Sequence, residues 1–308
     1  MKVLLFTHSV DIDGMGSAVL AKLAFTDVQI EFCDTFEINQ KVQKYLKNNE
    51  IYEFDRVFVA DLCIKQPLLG EIASDEKLAQ KLQILDHHKS EIEEGNGNFS
   101  FSHIVVEDEN GKCSGTSLFY EYVVKNGYLN RTKIIDDFVE LTRQYDTWEW
   151  KTKYNNERAN DLNIVFSMFG IEKYVDVMFN KLLNDEELFD VELAKLILDY
   201  KQKLHDDCLN YISSMHTVII DGYKIGVIEN TTDEHKNDIA EKLRIQEVEN
   251  DLDFVAMEIV ERNTISFRTI KEGVDVGAFA SLYGGKGHKN AGSCKITSQV
   301  IFDLKMKR

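Results

Sequence analysis

Three short apolar runs, VLLF at 3–6, VFVA at 57–60 and LQIL at 82–85, each give way to acidic residues within a few positions. Runs of this length that are apolar without alternation suit strands buried on both faces, as in a parallel sheet. Helical patterns lie between them at 14–25, around 39–48 and at 67–79, with a further strand at 28–33. This alternation predicts a doubly wound α/β domain, in which ligands bind beyond the carboxyl ends of the strands. Those ends carry His8, Asp11 and Asp13 after the first run, Asp61 after the second, and Asp86-His87-His88 after the third.

Farther along, 91–102 reads as loop and 117–126 as helix, and a helix at 134–145 leads into Tyr145-Asp146-Thr147-Trp148. Charged helical patterns fill 171 to about 214. From His216 the strands HTVIID, YKIGVIE, DFVAMEIV and NTISFRT read as antiparallel, with a helix near 238–247. The last block, VDVGAFASLYGGKGHKNAGSCKI, reads as helix, Gly-rich loop, strand. The expected organisation is a parallel-sheet domain at 1–190, a helical linker at 191–215 and a smaller α/β domain at 216–308.

With 36 Lys+Arg against 53 Asp+Glu, the net charge is -17, which argues against a broad basic groove for long nucleic acid. A phosphate held locally by metal ions and a few cationic side chains remains compatible with that charge. Cys33, Cys63, Cys113, Cys208 and Cys294 are scattered and form no Cys-x-x-Cys pair. They read as reduced thiols of a cytoplasmic protein. No window approaches the ~18 apolar residues of a membrane helix, and His8, Asp11 and Asp13 interrupt VLLF before a leader-like core forms.

Taken singly, Asp11, Asp13 and Gly14 fit an ordinary turn or helix cap, and Asp61 fits a strand end. The Asp-His-His triplet offers oxygen and imidazole donors directly after a buried strand, and the convergence of all these residues points to metal. Mixed carboxylates and imidazoles suit Mn2+, with Mg2+, Fe2+ or Co2+ as substitutes, and the absence of thiolates argues against structural zinc. A carboxylate bridging two ions ~3.5–4 Å apart would neutralise the crowded aspartates and suit phosphoester hydrolysis.

The chain resembles the DHH phosphoesterase superfamily. Its first motif is matched by His8, Asp11, Asp13 and Gly14, its second by Asp61 in VADL, its third by Asp86-His87-His88, and its fourth by Asp146 in YDTWEW. The Gly-Gly-Gly-His-x-x-Ala pattern of the DHH-associated domain is matched by the run from Gly284 to Gly292, interrupted by Lys286. The resemblance implies two ions, one held by His8, Asp11 and Asp61, the other by Asp13, Asp61, His87 and Asp146. It implies that His88 meets the scissile phosphate and that Asp86 orients a histidine. On the second domain it implies phosphate capture by Arg268 and by Gly285, Lys286, Gly287 and His288.

Within the superfamily the chain is most similar to B-type nano-RNases. That likeness implies a Mn2+-dependent phosphodiesterase hydrolysing short oligoribonucleotides to mononucleotides by two-metal activation of a water. The alternatives are a 3'-phosphoadenosine 5'-phosphate phosphatase, a cyclic or linear dinucleotide phosphodiesterase, and a catalytically silent nucleotide-binding regulator. Gly115-Thr116-Ser117 reads as a helix cap, with anion binding as the second reading. Trp148 and Trp150 suit base stacking, although packing suits at least one of them better.

Overall fold

The structure is a computed structural model and describes residues 1–109, 111–245 and 251–306, with only the backbone of Met306. Its elements in chain order are β1 (Lys2–His8), α1 (Ile12–Ala24), β2 (Asp27–Cys33), α2 (Ile38–Lys47), β3 (Arg56–Ala60), α3 (Leu68–Ala73), α4 (Glu76–Ala79), β4 (Leu82–Asp86), α5 (Lys89–Glu93), β5 (Ser102–Ile104), β6 (Glu107–Asp108) and β7 (Gly111–Lys112). There follow α6 (Gly115–Lys125), α7 (Lys133–Asp146), α8 (Glu157–Leu183), α9 (Val191–Ser213), β8 (His216–Ile220), β9 (Tyr223–Thr231), α10 (Lys236–Ile245), β10 (Phe254–Ile259), β11 (Thr264–Thr269), α11 (Val276–Ser281), β12 (Lys286–His288), β13 (Ala291–Lys295) and α12 (Ser298–Met306). Two compact units divide within α9, Met1–Ile197 and Leu198–Arg308.

The first unit is built on a parallel sheet of order β2-β1-β3-β4-β5. Val3, Leu4, Leu5 and Phe6 are all fully buried, as their continuous apolar run predicts. Alternation then divides them between layers: Leu4, Phe6, Val57, Val59, Leu82 and Ile84 join the side chains of α2 and α3 in one core. On the other face Phe58 packs edge-on against Phe119 of α6 at 5.4 Å. Winding reverses between β1 and β3, so the crevice beyond their carboxyl ends is the topological switch point where ligands bind in such sheets.

Close helix packing fixes that crevice. A Cβ on Gly14 of α1 would lie 2.1 Å from the His8 carbonyl oxygen, so only glycine lets α1 start directly against the end of β1. Asp11 caps α1, accepting from the Gly14 N–H at 3.1 Å.

The second unit holds a sheet of order β12-β13-β11-β10-β9-β8. It is mixed, not antiparallel throughout: β9 and β10 run parallel, because α10 lies between them as a crossover and returns the chain in the same direction. The helix placed at 238–247 is α10 up to Ile245; positions 246 and 247 lie outside the described residues. Lys286, Gly287 and His288 form an edge strand paired with β13 and not a loop.

Three further expectations change. The helix at 67–79 is two helices, broken where the Asp75 side chain accepts the N–H groups of Lys77 and Leu78. Part of 91–102 is helical. Helix α8 begins at Glu157, ahead of the patterned stretch, and is kinked at Gly170, whose φ of 69° leaves the helical region.

Candidate metal centre

His8 closes β1, Asp61 follows β3, and Asp86 closes β4, so three strand ends deliver donors to one crevice. Asp11 and Asp13 come from the start of α1, and Asp146 is the last residue of α7. Asp61 adopts φ 58°, a left-handed conformation uncommon outside glycine and tolerated by the short aspartate side chain. His8 Nδ1 lies 2.8 Å from Asp11 Oδ2 and 3.5 Å from Asp61 Oδ2. His87 Nε2 lies 3.3 Å from Asp61 Oδ1, 3.5 Å from Asp146 Oδ2 and 3.7 Å from Asp13 Oδ2. Asp61 Oδ2 therefore faces His8 and Asp11, and Oδ1 faces His87, which is grouped with Asp13 and Asp146 and also with Asp61, Asp86 and His88; within each group the donor atoms lie within 4.8 Å of one another.

Electrostatics show how poorly protein alone satisfies this arrangement. Burial, reinforced by the charges of Asp13 and Asp11, pushes the Asp61 carboxyl well above its ordinary range. Burial and Asp13 push Asp146 up to about 7. Burial lowers His8, but its bond to Asp11 at 2.8 Å and the Asp61 carboxylate at 3.5 Å outweigh that and carry it up to about 10. Among the described residues, Asp61 Oδ2 and Asp146 Oδ2 are buried and accept no hydrogen bond. Orphaned carboxylate oxygens beside imidazoles form a donor set that fits hard or borderline divalent cations.

Asp13 is fully buried and held from a distant part of the chain: its carboxylate accepts the N–H groups of Gly115 at 2.5 Å and Thr116 at 2.9 Å. The N-terminus of α6 thus does bind an anion, and that anion is Asp13 itself. Ser114, not Gly115, caps the helix, reciprocally with Ser117. Asp86 Oδ1 accepts the His87 N–H and lies 2.8 Å from His88 Nδ1. That bond raises the pKa of His88 and leaves Nε2 for another partner.

These protonation states set a pH dependence. Between 3.8 and about 7 for Asp146, and between 6.5 and about 10 for His8, the folded chain holds protons that the unfolded chain has released. Stability of the metal-free protein therefore falls as pH rises through both windows. Cation binding must expel those protons, so the rise in melting temperature caused by Mn2+ is expected to be larger near about pH 8 than near about pH 5.5. Scanning fluorimetry with EDTA or Mn2+ checks this, and a shift that shrinks with rising pH contradicts it.

On the second unit, Arg268, Lys286, Gly287 and His288 line one cavity of about 570 Å³. Lys236 and Arg262, which sequence reasoning missed, line it too, and both pair with Asp233. Arg268 is fixed by Asn237 Oδ1 at 3.0 Å, Ser266 Oγ at 2.9 Å and its neighbour's carbonyl, and burial lowers its pKa. Gly285 is not part of this lining. A Cβ there would lie 2.2 Å from the Ser293 carbonyl oxygen, so its place is in packing against β13. Of the two tryptophans, Trp150 is buried and Trp148 is half exposed. The five cysteines are free and buried, and among the described residues no helix is long and apolar enough to cross a membrane.

The sequence model of the DHH family N-terminal domain matches residues 2–142. Oligoribonuclease NrnB of Bacillus subtilis strain 168 is 30% identical over 300 residues, spanning 96% of this chain and 73% of that protein. Among solved structures, the fold is similar to the pGpG-specific phosphodiesterase PggH of Vibrio cholerae, with TM-score 0.53, 15% identity and full coverage of both chains. It is also similar to the exonuclease RecJ bound to manganese, with TM-score 0.55, 13% identity, and 99% of this chain and 88% of that one covered. The N-terminal match takes in every donor of the crevice except Asp146, and the likeness to NrnB continues through nearly the whole sequence: the chain belongs to the DHH family.

Proposed function

We propose that this protein is a Mn2+-dependent phosphodiesterase that hydrolyses short oligoribonucleotides to mononucleotides. The observation that carries the reading is Asp61, one buried carboxylate whose two oxygens face two separate donor groups. Whole-chain similarity to a protein named oligoribonuclease supports the substrate class.

One ion would be held by His8, Asp11 and Asp61, and the other by Asp13, Asp61, His87 and Asp146. When bound, such a pair supplies Lewis acidity and lowers the pKa of water. The remaining work falls to the chain's own groups. The α6 amides hold Asp13 in place, so that its oxygens keep their direction without reorganising. Asp86 fixes the His88 ring through Nδ1, so that Nε2 donates a hydrogen bond or a proton to the phosphate and leaving group. In the second unit, the Arg268 guanidinium and the cations around it bind a substrate phosphate. The net charge of -17 disfavours long polymers, whose affinity comes mostly from many phosphate contacts. Five unpaired thiols suit a cytoplasmic compartment.

The test is incubation with Mn2+ and a panel of di- to pentaribonucleotides, 3'-phosphoadenosine 5'-phosphate, cyclic dinucleotides and pyrophosphate. Release of mononucleotides from the short RNAs, with little action on the others, is expected. Turnover of the bisphosphate alone overturns the reading, and tight binding without any turnover makes the protein a nucleotide-binding regulator. Arg268→Gln is expected to raise KM for the dinucleotide by about tenfold to a hundredfold with a smaller change in kcat, the cost of a charge-assisted hydrogen bond used in binding. Steady-state kinetics check this, and an unchanged KM removes Arg268 from the substrate site.

A further inference from the structure

Trp148 stands two residues beyond Asp146, whose Oδ2 is 3.5 Å from His87 Nε2 in the metal centre. Its backbone has φ 63°, a left-handed conformation that crowds a Cβ against the following carbonyl and is an outlier for a bulky side chain. Such conformations persist only where surrounding contacts impose them, and they cluster at functional sites. Here the contacts are plain. Arg143, buried in α7, bonds the Glu149 carboxylate at 2.6 Å and the Lys112 carbonyl at 2.9 Å, clamping the segment just after Trp148. The Trp148 N–H donates to the Tyr145 carbonyl at 3.1 Å, and the Thr152 hydroxyl donates back to the Trp148 carbonyl at 3.0 Å.

Trp150 fills the buried position, parallel to Tyr145 at 6.2 Å and 14°. Trp148 meets Trp150 at 5.6 Å and 74°, and the residue is 49% exposed. The clamp thus holds a half-exposed indole two residues from Asp146, a candidate ligand of the metal centre. The side chains grouped at the metal centre are carboxylates and imidazoles, which offer little to a neutral nucleobase, whereas an indole face stacks with any base.

Resting on the phosphodiesterase reading above, we propose that Trp148 is a specificity-determining residue of the first unit, stacking the nucleobase next to the scissile phosphate. Its contribution is sequence-tolerant, because every base has a π face, and it discriminates nucleotides from phosphodiesters that lack a base. Removing a stacking partner is expected to lower kcat/KM by about tenfold to a hundredfold.

The experiment crosses enzyme with substrate. Full-length wild type, Trp148→Phe and Trp148→Ala are assayed with Mn2+ on a diadenylate and on its two analogues carrying hydrogen in place of one base. In wild type, loss of one of the two bases is expected to cost about tenfold or more in kcat/KM. In Trp148→Ala that same loss costs little further, while Trp148→Phe keeps most of the base dependence. Circular dichroism and melting temperature confirm that both variants fold. Additive losses, with the base worth as much in Trp148→Ala as in wild type, overturn the inference and leave the phosphodiesterase reading standing. Wild-type protein that cleaves none of the three dinucleotides overturns both.

Discussion

Asp61→Asn is expected to lower Mn2+-dependent turnover by about a thousandfold or more, and at the same time to raise the melting temperature of the metal-free protein. The first effect follows from the position of Asp61 between two donor groups: the amide keeps the volume but loses the charge that both ions of the proposed pair would share. Charge stabilisation by metal is worth several kcal/mol, and each 1.36 kcal/mol is about a factor of ten in rate. The second effect has the opposite sign because, without metal, Asp61 is a fully buried carboxylate beside Asp13 and Asp11, with its pKa pushed far up. Near about pH 8 the unfolded carboxylate is ionised, and folding must either protonate it or bury its charge, a cost the amide does not carry. Initial rates and melting in EDTA measure the two effects on the same sample. Wild-type-like turnover contradicts the bridging role of Asp61, and a lowered metal-free melting temperature contradicts the electrostatic account.

Gly115→Ala is expected to cost activity and stability together. A Cβ at this position would lie 2.4 Å from Asp61 Cβ, 2.6 Å from Asp61 Cα and 2.7 Å from Asp61 N. Two of those atoms are backbone and cannot swing aside, so α6 must move away from the end of β3. That displacement carries off the Gly115 and Thr116 amides that hold Asp13 while also disturbing Asp61. Overpacking of this kind costs about 1–3 kcal/mol, which for a unit of this size lowers the melting temperature by roughly 2–12 °C. A shift near 1 Å in catalytic groups costs about a hundredfold in rate. Calorimetry and initial rates check both, and an alanine variant with wild-type melting and turnover removes α6 from the support of the centre.

The strand ends were legible because β1 and β3 are buried on both faces and β4 largely so, with only Gln83 half-buried, so their mainly apolar sequences make His8, Asp61 and Asp86 stand out at or just past the strand ends. The amides that hold Asp13 were not legible: Gly115 is 102 positions away, and locally Ser114 to Ser117 reads only as a helix start. The cavity of the second unit was half legible. Lys286 and His288 stand in the glycine-rich run, and Arg268 was found through the family resemblance, whereas Lys236 and Arg262 converge on the cavity from α10 and from the turn before β11, which only the folded sheet brings together. The parallel pairing of β9 was missed although its signal was present, since Ile225 to Ile228 are buried without alternation. Gly285 packs against β13 and lies outside the lining of this cavity, a placement sequence could not tell because a glycine needed for packing and one needed for phosphate approach look alike.

The most direct test of the central claim is the anomalous difference density of Mn2+ in crystals of the full-length protein. Two peaks are expected, one against His8, Asp11 and Asp61 and the other against Asp13, Asp61, His87 and Asp146, with Asp61 touching both. A single peak, or ions bound away from Asp61, would contradict the account.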